Sequence, residues 1–91
     1  MKINQAASAG TLESSDILIT LVPDEKGNSI DLTSSVEAYY GDSIRDTINA
    51  ILDEYHIENA YVTAVDHGAL DCTIQARCIT AIRRAGEGNQ S

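Results

Sequence analysis

The apolar residues of this chain switch between two spacings, and that pattern constrains the fold more than any other feature. Residues 16–22, DILITLV, form a β-branched and aliphatic run. From Ile44 the spacing becomes helical: Ile44, Ile48, Ile51, Leu52 and Tyr55 share one face of an α-helix. Residues 59–66, NAYVTAVD, return to β character. Leu70, Ile74, Cys78, Ala81, Ile82 and Ala85 then fall on one face of a second helix. With a polar alternation at 29–34, SIDLTS, the order is strand, strand, helix, strand, helix. That order predicts an α+β two-layer sandwich, an antiparallel-rich sheet of three to four strands with two main helices on one face.

Local chemistry marks the boundaries. Pro23 stops the first long strand. Residues 24–29, DEKGNS, read as a turn, and the runs on either side of it as an antiparallel hairpin. Residues 6–12 are a candidate further short strand. Residues 36–41, VEAYYG, end at a glycine and read as a separate short helical turn. Asp42 or Ser43 is then the expected cap of the first helix, with Ser43 and Asp46 as a shortened capping box. His56 falls in its expected last turn, where a partial positive charge suits the dipole. His67-Gly68 makes the next turn, and the second helix is expected over about 69–85. Asp71 lies near its start, Arg83 and Arg84 near its end, and Gly86 is a candidate cap. Residues 86–91 read as a flexible tail.

The 91 residues fit a single domain. At this size roughly 60–65% of the unfolded surface is buried, enough for one small core and too little for a deep private cavity. That core must be aliphatic, because the chain has no Trp and no Phe. The formal net charge is −8, with six Lys and Arg against fourteen Asp and Glu. Such a chain is a poor match for nucleic acid or an anionic membrane surface and a good one for a partner with a basic face. Asp46, Asp53 and Glu54 on the first helix are candidate docking acids, although solvated acids on a helix face are ordinary. Cys72 and Cys78 lie six apart on one expected helix, a poor geometry for a disulfide. The opening residues lack the apolar stretch of a secretion signal and no run is long enough to span a membrane, so a cytoplasmic location is expected.

Few residues invite chemistry. His56, His67, Cys72 and Cys78 match no compact zinc spacing. A Ser-His-Asp set can be drawn from any chain with eight serines, two histidines and eight aspartates, and there is neither a G-x-S-x-G elbow nor a glycine-rich phosphate loop. The chain therefore reads as a non-catalytic module. Two serine sites stand out. GDSI at 41–44 has the Asp-Ser-aliphatic step at which ordinary acyl carrier proteins attach phosphopantetheine, but Ser43 is better explained as a helix cap, and three strand-like runs are wrong for an all-helical carrier. The other is Ser14-Ser15, a polar bend before the first long strand, which composition alone leaves undivided.

The whole chain resolves that bend further. MKINQAASAGTLESSD, SSVEAYYGDSIRDTI and GALDCTIQARCITAIRRA, in that order, closely resemble the acyl carrier (gamma) subunit of bacterial citrate lyase. Ala9-Gly10-Thr11-Leu12-Glu13-Ser14 is the most specific part, followed by Gly68-Ala69-Leu70-Asp71-Cys72 with Ala76-Arg77. The resemblance implies an acyl carrier domain over residues 1–91, with 1–15 as its attachment segment. It implies that Ser14 carries phosphoribosyl-dephospho-coenzyme A through a phosphodiester, and that the terminal thiol holds an acetyl or citryl thioester. It implies as partners the alpha (transferase) and beta (lyase) subunits, the prosthetic-group transferase and acetate ligase. A host lacking that transferase would yield the bare chain. Glu13 and Asp16, which flank the serines, are then expected to be read by Lys or Arg of those partners. The nearest alternative is the carrier of malonate decarboxylase. An unmodified acidic adaptor is the alternative from another class, and a small hydrolase has only the unconvincing residues above.

Overall fold

A computed structural model describes residues 2–86. Its elements are β1 (Ala7–Ala9), β2 (Ile17–Pro23), β3 (Ser29–Ser34), α1 (Glu37–Glu54), β4 (Ala60–Asp66) and α2 (Asp71–Gly86). The candidate tail at 86–91 lies, beyond Gly86, outside the described residues. The four strands form one sheet in the order β1-β2-β4-β3. β1 and β4 each pair antiparallel with β2, while β3 pairs parallel with β4, so the sheet is mixed.

Alternation along the strands creates a single buried face. Ile17, Ile19 and Leu21 of β2 point into the core with Ala60, Val62 and Ala64 of β4 and Leu32 of β3. α2 lies against β1 and β2, and α1 against β3 and α2. From α1 come Ile44, Ile48, Ile51 and Leu52; from α2 come Ile74, Cys78, Ala81, Ile82 and Ala85. Apart from the Cys78 thiol the core side chains are aliphatic, and helical spacing identified every one of these helix residues. Ile3 also packs into the core, held by hydrogen bonds between its backbone and the Asn59 side chain of 3.3 and 3.0 Å.

The expected β2–β3 hairpin does not form. The chain reverses between them, but β4 fills the gap. Asn28 explains part of this: its side-chain nitrogen donates to the Ile57 carbonyl (2.7 Å) and its side-chain oxygen accepts from the Ala60 amide (2.9 Å). A residue that would close a tight hairpin instead holds the start of β4. Polarity agrees. β3 buries only Leu32 fully and suits an edge, whereas β4 buries every second residue and takes the centre. Parallel pairing of β3 with β4 follows, because α1 carries the chain back between them.

Three local expectations are also corrected. α1 starts at Glu37, not at Asp42 or Ser43, and runs through Gly41, so VEAYYG is its first turn. Its N-cap is Val36, with no side-chain cap, and the Val36 amide donates instead to Ser34 Oγ (3.1 Å). Ser43 and Asp46 thus lie inside the helix and form no capping box. His56 lies beyond the helix, left-handed at φ 55°. Its amide and that of Ile57 donate to the carbonyls of Asp53 (3.1 Å) and Leu52 (2.9 Å), which closes α1 in the pattern usually built on glycine. Leu70 precedes α2, its carbonyl accepting from Thr73 and Ile74 (3.0 Å each), and its side chain is exposed, not core.

Candidate functional site

Three connections meet at one end of the sheet. They are residues 10–16 between β1 and β2, residues 35–36 before α1, and residues 67–70 before α2. Both helices begin here. The strand register puts Ile17, Asp66 and Ser34 side by side at this edge.

Ser14 and Ser15 occupy the centre of a turn in the first connection. The Asp16 amide donates to the Glu13 carbonyl (3.2 Å), and Ser15 is left-handed at φ 63°. The turn is fastened to the end of β4: the Ser15 amide donates to the His67 carbonyl (2.8 Å) and the His67 amide to the Asp16 carbonyl (2.9 Å). Both serine side chains are exposed, and neither hydroxyl bonds to another described residue. Of the two, Ser15 is tied to the scaffold by its own amide.

Below the serines the loop is closed by Asp16. It is only 8% exposed, and its two carboxylate oxygens are fully engaged. Arg77 of α2 binds both, Nε to Oδ1 at 3.1 Å and a terminal nitrogen to Oδ2 at 3.0 Å. Thr11 Oγ1 donates to Oδ2 (2.7 Å) and the Ile17 amide to Oδ1 (2.7 Å). Thr11 Oγ1 also accepts from the Glu13 amide (3.2 Å). The Arg77 guanidinium, then Thr11, then the Ile17 amide hold the Asp16 carboxyl well below the usual carboxylate range, each by stabilising the ionised form. Asp16 is thus a structural anchor paired within the chain, which corrects the expectation that partners read it; Glu13 is exposed. Gly10, with φ 104°, closes the neck of the loop, where an added Cβ would overlap the Ile17 carbonyl.

The third connection is also built on a carboxylate. Asp66 is buried; its oxygens accept from Ser34 Oγ (2.8 Å) and the amides of Gly68 (3.1 Å) and Ala69 (3.0 Å). Nothing in the sequence distinguished Asp66 from the other acids, because its role depends on strands brought together from distant segments.

The remaining candidates are dispersed. Ser43 is exposed within α1, away from the free amides of a helix start, and its carbonyl accepts from Thr47 Oγ1 (3.0 Å). His56 is at the opposite end of the molecule from His67. Cys72 is an exposed free thiol and Cys78 a buried one, pushed up to about 12 by burial. No group of three or more His, Cys, Asp or Glu poised to hold a metal occurs among the described residues, and no described helix is long and apolar enough to cross a membrane.

Comparison with known proteins identifies the family and the fold. The family model described as "ACP: Malonate decarboxylase delta subunit (MdcD)" matches residues 4–85. The citrate lyase acyl carrier protein of Latilactobacillus sakei is 52% identical over 92% of this chain and 83% of its own length. That of Lacticaseibacillus casei is 55% identical over 96% and 86%. Among solved structures, a chain of a Pseudomonas malonate decarboxylase hetero-tetramer in complex with malonate superposes with a TM-score of 0.79 at 19% identity. The match covers 90% of this chain and 84% of that one, and shows a shared fold.

Proposed function

This chain belongs to the citrate lyase acyl carrier protein family, and from that premise we propose that Ser14 is where it carries phosphoribosyl-dephospho-coenzyme A, joined by a phosphodiester through Oγ. The chain is a non-catalytic carrier. Its relatives above half identity carry the citrate lyase name, while the malonate decarboxylase likeness consists of the family model over residues 4–85 and a shared fold at 19% identity. The observation that supports the site is the turn itself: an exposed hydroxyl with no partner among the described residues, on a loop fastened at Asp16 and His67.

The residues fit such a group. Ser14 is exposed, and the amino-terminal ends of two helices at the same edge favour added negative charge. When bound, the group supplies a terminal thiol that holds an acyl residue as a thioester. The protein's contribution is position. Ser14 Oγ fixes the root of the arm, Asp16 and Arg77 keep the turn from folding back, and the tether raises the local concentration of the thiol at the active sites of the alpha and beta subunits. The prosthetic-group transferase would act on the same turn, and acetate ligase on the thiol.

Intact mass and peptide mapping of protein from citrate-fermenting cells test this reading. An adduct is expected on Ser14, retained in Ser15→Gly and absent in Ser14→Ala. An adduct lost in Ser15→Gly moves the site by one residue. A bare chain in cells with active citrate lyase removes the carrier assignment and leaves the acidic adaptor.

A further inference from the structure

Resting on the carrier reading, we propose that the end of the molecule bearing Ser14 is also its protein-docking surface, fitting a lyase-complex subunit that presents a bulky apolar side chain ringed by Lys or Arg. Four of the five large exposed hydrophobics among the described residues gather there: Leu12 (59% exposed), Tyr39 (85%), Tyr40 (60%) and Leu70 (69%). Leu70 was expected in the core on spacing alone, so its exposure is a feature of the folded end. A groove of about 470 Å³ runs between the starts of α1 and α2, with Tyr40 and Leu70 on its walls and Ile44 and Ile74 among its lining residues. Gly68, also in the lining, directly follows His67, to which the serine turn is fastened. Groove and attachment turn are therefore parts of one surface.

Charge identifies the occupant. Glu13, Asp42 and Asp71 are exposed around this end. Of the six Lys and Arg residues, Arg77 pairs with Asp16 at 3.0 Å and Arg45 with Asp42 at 3.8 Å. The other four, Lys2, Lys26, Arg83 and Arg84, lie toward the opposite end, with the first residues, the 24–28 turn and the end of α2. Acids also occur at that far end, among them Glu25 and Glu58 beside Lys2, so what sets the tether end apart is its exposed acids next to exposed apolar side chains. A basic rim on the partner would be attracted to the tether end and an apolar side chain would enter the groove. The candidate docking acids on α1 are redistributed by this view. Asp53 and Glu54 end a helix about 27 Å long and sit far from the tether.

The test titrates the carrier, bare and modified, with purified citrate lyase alpha and beta subunits from the same organism. Leu70→Ser with Tyr40→Ser should weaken binding roughly thirtyfold, the scale of an interface hot spot. Val22→Ser, an exposed hydrophobic at the other end of β2, should leave it unchanged. Glu13→Lys with Asp42→Lys should slow association about tenfold at low salt, with the difference closing at high salt. Circular dichroism of each variant verifies folding, which these exposed positions should not disturb. Variants that bind like the parent overturn the proposal. If they instead change the carrier's own oligomeric state, the face is a contact between copies; if they only expose the thiol of the modified carrier, the groove shelters the arm. Either result also overturns it. A parent chain that neither binds nor carries an adduct overturns the carrier reading beneath; an adduct on a parent whose variants bind normally overturns the docking surface alone.

Discussion

Arg77 grips Asp16 with two parallel hydrogen bonds of 3.1 and 3.0 Å across 61 positions of sequence. This fork is the fastening between α2 and the loop that displays Ser14. It ties stability to acid pH with a definite sign. The folded-state pKa of Asp16 is depressed, so the unfolded chain binds the extra proton first. Stability is full above the unfolded carboxylate range, near pH 4, and is lost as pH falls from there toward the folded value. Melting temperature should fall steeply between about pH 5 and pH 2 in the parent and less steeply in Asp16→Asn. Equal slopes would show that the fork does not couple to titration.

Arg77→Ala tests the same fastening by another route. Asp16 would keep its bonds to Thr11 and Ile17 but lose the guanidinium. Hydrogen exchange at the Ser15 and His67 amides should accelerate at least tenfold while exchange in β4 stays slow. Unchanged protection at Ser15 would mean that the backbone bonds to His67 hold the turn alone.

Glycine positions separate space from backbone angle. Gly10 and Gly68 both have positive φ, but a Cβ on Gly68 meets open space, whereas on Gly10 it overlaps the Ile17 carbonyl. Gly68→Ala should cost about 1–2 kcal/mol and Gly10→Ala at least about 3 kcal/mol in chemical unfolding. Similar costs for the two would refute the close approach at the neck.

Ser15 holds a left-handed conformation that glycine adopts without strain. Ser15→Gly should therefore raise stability by about 0.5–1 kcal/mol, seen as a melting temperature higher by roughly 3–5 °C. A lower melting temperature would mean that the Ser15 side chain contributes more than its backbone strain costs.

The two thiols should differ sharply. In the native bare chain Ellman's reagent at pH 8 should titrate Cys72 only. Cys78, buried and pushed up to about 12, should react only after denaturant is added. Two fast thiols in the native chain would place Cys78 outside the core.

Periodic burial was legible from residues alone: the α1 positions from Ile44 to Leu52 and the α2 positions from Ile74 to Ala85 all entered the core. The order of elements and the His67-Gly68 turn were legible for the same reason, since each depends on neighbours in sequence. What depends on distant partners was not. Asn28 looks like a turn residue until the 57–60 segment is placed beside it, and Asp16 looks like a solvent-facing acid until Arg77 arrives. Leu70 obeys the helical spacing yet precedes the helix, so periodicity put it on the wrong side of the boundary. Ser14 itself was singled out by resemblance, and the local pattern of polar residues left it level with Ser15.

The serine turn has one more property. It is fastened by His67 and Arg77, which are synthesised long after Ser14. While the first half of the chain is emerging, the six-residue string around Ser14 exists but its shape does not. On the carrier reading proposed above, a transferase that reads this shape would act only after Arg77 has been made, so folding would precede loading.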